Sequence, residues 1–105
     1  MLRIYPVALE LAADAAAAAT QISRKDPDLA RQLRRASVSV PLNIAEGSGS
    51  RGRNRTARYS DALGSARETR ACIDVAAAIG YTANPAQEVL DRLDHVIGTL
   101  TKLVR

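Results

Sequence analysis

Residues 84–104 read NPAQEVLDRLDHVIGTLTKLV, and their spacing decides the fold. Val89, Leu93, Val96, Leu100 and Leu103 recur in steps of four and three, with Leu90, Ile97 and Val104 beside them. Because a helix turns once in about 3.6 residues, these side chains form one apolar stripe, with charged residues on the opposite face. Asn84 is placed to cap the first turn, Pro85 occupies it without losing a needed donor, and Gln87 can complete a capping-box exchange. The reading is an amphipathic helix over residues 85–104.

The same stripe recurs three times upstream. Helix 1, residues 6–24, carries Val7, Leu11, Ala15, Ala18 and Ile22. Helix 2, residues 27–47, follows an Asp26-Pro27 cap and carries Leu29, Leu33, Ala36, Val40 and Ile44. Helix 3, residues 53–79, carries Ala62, Ala66, Ile73 and Ala76 or Ala77, and Gly80 reads as its left-handed stop. Gly47 to Gly52 reads as a Gly/Ser-rich connection between helices 2 and 3. Four apolar seams with short joints give an all-α, antiparallel up-down-up-down four-helix bundle, one domain over residues 1–105. Pro41 falls inside helix 2, where it removes a backbone hydrogen bond. The β-branched Val38 and Val40 also allow an extended segment there, but the apolar spacing favours a continuous helix kinked near Pro41.

Composition narrows the class. Of 105 residues 47% are hydrophobic, so the chain is one that folds, and 20 of these are Ala while Tyr5, Tyr59 and Tyr81 are the only aromatics. Small side chains in that proportion suit close helix packing, and helix 1, with Ala nearly all round, suits contact between copies of the chain. A single Cys72 forms no internal disulfide, and with one His it assembles no structural zinc site, so a cytoplasmic setting is the default. The apolar run Val7 to Ile22 is interrupted by Glu10 and Asp14 and is too short for a membrane span, so no membrane partner is expected.

The stretch Ser37 to Gly47, SVSVPLNIAEG, is followed by Arg51 and Arg53 and then by Ala62 to Glu68, ALGSARE. This composite pattern resembles the 23S rRNA intervening-sequence proteins, a four-helix-bundle family related to the accessory variability determinant of diversity-generating retroelements. The likeness is sharpest over residues 33–82. It implies an all-α bundle assembled as a homopentamer, with nucleic acid or a reverse transcriptase as partner in some members, and it marks Pro41, Asn43, Glu46, Gly47 and Glu68 as the structural motif. The chain departs from the pattern at residues 54–59, NRTARY, where it gains positive charge.

On an antiparallel bundle the charge can be assigned by end. The chain has 15 Lys and Arg against 11 Asp and Glu. The end holding both termini and the helix 2–3 joint (residues 1–12, 38–64 and 97–105) carries Arg3, Arg51, Arg53, Arg55, Arg58, Lys102 and Arg105 against Glu10, Glu46 and Asp61, seven less three. The remainder balances at eight and eight, so the formal +4 belongs to one end. Arg presents a planar fork of donors that matches phosphate oxygens, and few aromatics are available for stacking. The expected partner is RNA or DNA, held by its backbone or shape; a protein partner such as a reverse transcriptase is the alternative. A second basic group, Arg31, Arg34 and Arg35, reads as an exposed helix face on which Asp28 pairs with Arg31, and Glu88 is spaced to pair with Arg92.

No catalytic residue and no cofactor is assigned. Asn43, Glu46 and Glu68 read as a buried polar cluster that satisfies backbone freed by Pro41 or binds Arg67 or Arg70, and the two Glu are not assigned as acid and base. A di-metal carboxylate bundle needs Glu-x-x-His pairs, which are absent, and Gly47 to Ser50 lacks the Lys of a phosphate-binding loop. His95, four residues after Asp91, reads as a surface hydrogen-bonding group and Cys72 as a small buried side chain.

Overall fold

A computed structural model describes residues 2–105. Four helices follow in order: α1 Ile4–Ile22, α2 Pro27–Ser48, α3 Gly52–Ala78 and α4 Gln87–Leu103. α2 packs along α1 and α3, α4 closes the square against α1 and α3, and α1 and α3 touch across the diagonal. Side-chain bonds cross between neighbouring helices: Ser65 to Ser39 between α3 and α2, and Arg92 to Asp14 between α4 and α1.

The core is built from the stripes. Leu11, Ile22, Leu33, Val40, Ile44, Leu93, Val96 and Leu100 are fully enclosed, with Ala8, Ala15, Ala19, Ala30, Ala62, Ala66 and Ala76 filling the spaces between them. Each enclosed Leu or Ile stabilises the fold by about 1.5–3 kcal/mol relative to exposure. The alanines let the helix axes come close. Thr69, also fully buried, returns its hydroxyl to the Ser65 carbonyl at 2.8 Å, so its burial leaves no donor open.

The helix ends show which joints local chemistry sets. Asp26 takes extended backbone and its Oδ1 accepts from the Leu29 amide at 3.0 Å, with Pro27 in the first turn. Gly80, at φ +83°, ends α3: its amide donates to the Ala77 carbonyl and the Tyr81 amide to Ala76, which together satisfy two terminal carbonyls. The start of α4 is a correction. Its cap is Ala86 with no side-chain hydrogen bond, and Gln87 donates forward to Asp91 at 2.9 Å instead of back to the chain entering the helix. Asn84 and Pro85 lie outside it.

α2 runs unbroken through Pro41, whose ring is buried. It also runs further than the glycines predict. Gly47 lies inside the helix and only Gly49 to Arg51 remain as a joint. Gly47 is needed for close approach: a Cβ there would stand 2.6 Å from Cδ1 of Tyr59 and closer still to Cε1.

A candidate nucleic-acid interface

α3 has 27 residues, about 40 Å of rise, which matches the 42 Å long axis of the molecule. Its first two turns do no packing. Arg51 to Arg58 are all exposed, and Tyr59, seated against Gly47, is the first buried residue of the helix. The basic segment is therefore a helical spur anchored at its base by a Tyr-on-Gly contact. No acidic residue lies in its first turn, and no side chain caps it.

Helix geometry then sorts the four arginines. Arg51 precedes the helix in extended backbone; within α3, Arg55 and Arg58 fall on one side, three residues apart, and Arg53 on the opposite side. Arg55 Nε donates to the Ser50 carbonyl at 2.9 Å, folding this side chain back over the joint. Arg58 Nε meets Glu46 Oε2 at 3.1 Å, an exposed pair that fixes the guanidinium without burying it. Arg51 and Arg53 make no ion pair among the described residues.

Arg3, Lys102 and Arg105 are exposed at the same end but on the α1–α4 side, Arg3 just before α1 and Lys102 in the last turn of α4. The fold brings all seven cations to one end and leaves them in two groups. Lys102 also complements the negative end of its own helix.

The expected Asn43–Glu46–Glu68 cluster does not form. Glu46 and Glu68 are exposed, Arg70 pairs with Asp94 at 2.9 Å, and Glu68 makes no ion pair among the described residues. Glu46 lies opposite Arg58, ten residues before Glu68, about 15 Å along α3, so the two carboxylates share no site. Asn43 bonds within α2 and reaches α3 through serines. Its Nδ2 donates at 2.9 Å to both the carbonyl and the hydroxyl of Ser39, and the Ser65 hydroxyl donates to Ser39 Oγ at 2.8 Å. Ser39 and Ser65 carry no signal of this in the sequence, because a Ser at a stripe's edge looks like any solvated one. Pro41 frees the Ser37 carbonyl, and none of these bonds goes to it.

Arg92 is a further correction. It does not pair with Glu88 but spans to α1, contacting Asp14 at 2.8 Å and Glu10 at 3.1 Å. The hydrogen bond to Asp14 holds the guanidinium firmly in its charged form. Arg31 pairs with Asp28 at 2.9 Å as spacing predicts. Cys72 is buried, and burial followed by the nearby Glu68 charge pushes its thiol pKa up, away from the reactive thiolate. His95 is exposed and, among the described residues, makes no side-chain hydrogen bond, contrary to expectation. Among the described residues no three His, Cys, Asp or Glu converge as for a metal, and no helix is long and apolar enough to cross a membrane.

A sequence profile described as 23S rRNA-intervening sequence protein matches residues 1–102. The chain belongs to that family. The chain also superposes on a solved structure: the crystal structure of a protein of unknown function from the S23 ribosomal protein family of Bacteroides thetaiotaomicron. That chain is 16% identical, with a TM-score of 0.84 over 97% of this chain and 98% of the other. At such identity the likeness concerns the fold. No curated protein matches the chain. Of the motif residues, Gly47 receives Tyr59, Glu46 holds Arg58 and Asn43 organises the serine bridge next to Pro41, while Glu68 stays exposed.

Proposed function

We propose that this intervening-sequence family member is a non-enzymatic, cytoplasmic, homo-oligomeric bundle that binds structured nucleic acid, RNA in the first instance, through its arginine-bearing end. The observation that carries the reading is the spur: eight consecutive exposed residues, four of them Arg and none acidic, on two helical turns that contribute nothing to the core. Exposed Arg side chains projecting from both sides of a helix suit phosphates that flank a groove or a bend. With Tyr59 buried beneath the spur, no aromatic side chain is present on it to stack a base, so shape and backbone are the features read. Assembly in five copies, which the family resemblance implies, would bring five such ends together, and the exposed Ala13, Ala16 and Ala17 of α1 offer a close-packing surface for it.

The test is titration of hairpin RNA and duplex DNA, alongside co-purification from cells with and without nuclease. Replacing Arg51, Arg53, Arg55 and Arg58 by Gln lowers RNA affinity more than tenfold and flattens the dependence of log K on log salt, by about 0.7–0.9 for each phosphate that is no longer neutralised. Absence of binding to either nucleic acid by the native chain at low salt overturns the reading; recovery of a protein such as a reverse transcriptase in place of nucleic acid redirects it to the scaffold alternative.

A further inference from the structure

The outer face of α2 is unpartnered and apolar at its centre: Val38 and Leu42, one turn apart, are 50% and 60% exposed. An open depression of about 530 Å³ runs along this face between Arg34 and Glu46. The charges flanking the apolar pair are opposite in sign and evenly placed. Arg34 lies four residues before Val38, and Glu46 four residues after Leu42. Arg35, beside Arg34 on the same face, makes no ion pair among the described residues, and Glu46 uses only one carboxylate oxygen, on Arg58.

We infer that this face is a two-fold contact between copies of the chain, with two α2 helices antiparallel and crossing at the level of Val40. Both pairs are symmetric about that level, so the antiparallel arrangement sets Val38 on the partner's Leu42 and Arg34, with Arg35 beside it, on the partner's Glu46. Turning the second helix parallel would stack arginines on arginines and Glu46 on Glu46, so charge selects the two-fold. A self-complementary patch of this kind closes on itself and leaves no open end for a filament. A ring uses two unlike surfaces, so this contact is separate from ring closure: it joins two chains or, where rings form, two rings.

The contact is tested by mass in solution. Arg34→Glu with Arg35→Glu opposes acid to acid, and Glu46→Arg opposes base to base, so each variant alone has half the mass of the native protein. Mixing the two variants restores the native mass, because each then meets its opposite on the other chain. A Val38→Cys chain mixed with a Leu42→Cys chain crosslinks on oxidation faster than either alone, Cys72 being buried; this second measurement does not depend on the charge variants folding. A monomeric native chain, reversals that leave the mass unchanged, mixing without recovery, or crosslinking dominated by like positions overturns the contact.

Discussion

The two ends of the bundle are closed in different ways. At the end holding the α1–α2 and α3–α4 joints, Asp26 caps one helix, Gly80 turns the backbone out of another, and basic and acidic residues balance over this part of the chain. At the other end α3 starts with no cap and no acid, and its first two turns project with their arginines into solvent. The contrast teaches that one end is finished by local hydrogen bonding and the other is held from below. Tyr59 against Gly47, with its hydroxyl 3.5 Å from that of Ser48, the Glu46–Arg58 pair and the Arg55 bond to Ser50 tie the spur to the body.

If that anchor sets the spur, Gly47→Ala has the largest effect on stability. The methyl group collides with a buried ring and costs about 2–3 kcal/mol in urea unfolding. Gly64→Ala, on the same helix pair but facing open space, is the control and is neutral or stabilises by about 0.5–1 kcal/mol. Equal effects at the two glycines would remove the special role of the Tyr59 contact.

The charge half of the contrast comes next. Replacing Arg24 and Lys25 at the balanced end by Gln leaves RNA affinity within about twofold, against the more than tenfold loss on the spur, because screened charges distant from the bound phosphates add little. A similar loss at both ends would show that net charge, not the spur, sets binding.

Smaller effects probe the closed end. Gly80→Ala forces a side chain into left-handed backbone and costs about 1–2 kcal/mol; Asp26→Ala removes a cap and costs about 1 kcal/mol, both read from thermal or urea unfolding. Least in magnitude is the pH effect of Cys72. Its raised pKa means the native state keeps the thiol proton that the unfolded chain gives up, so this contribution is whole below the ordinary thiol range and is lost as pH rises from there through the raised value. A thiol reagent should label Cys72 only as fast as the chain opens; rapid labelling of the folded protein would contradict its burial.

Much of the fold was legible because helix spacing is a local property. The stripes through Leu33, Val40 and Ile44 and through Leu93, Val96 and Leu100 mark residues that the structure fully buries. The Asp26 cap and Gly80 stop were legible for the same reason, each acting within one turn. Errors arose where a long side chain could choose between near and distant partners. Arg92 had Glu88 at favourable spacing but found two carboxylates on α1, and Glu46 turned outward to Arg58. The serine bridge of Ser39 and Ser65 was invisible, since nothing local brings those residues together.

What the sequence determined by itself is the number of helices, their buried faces and the concentration of the excess charge at one end, because periodicity, caps and an antiparallel order require only neighbours along the chain. Tertiary structure decided that Gly47 is a seat for Tyr59 and not part of a loop, that Tyr59 and not Ala62 is the first buried residue of α3, and that Arg58 is tethered while Arg53 projects from the far side. Those outcomes depend on which surfaces meet across helices, and close packing settles that only once all four are in place.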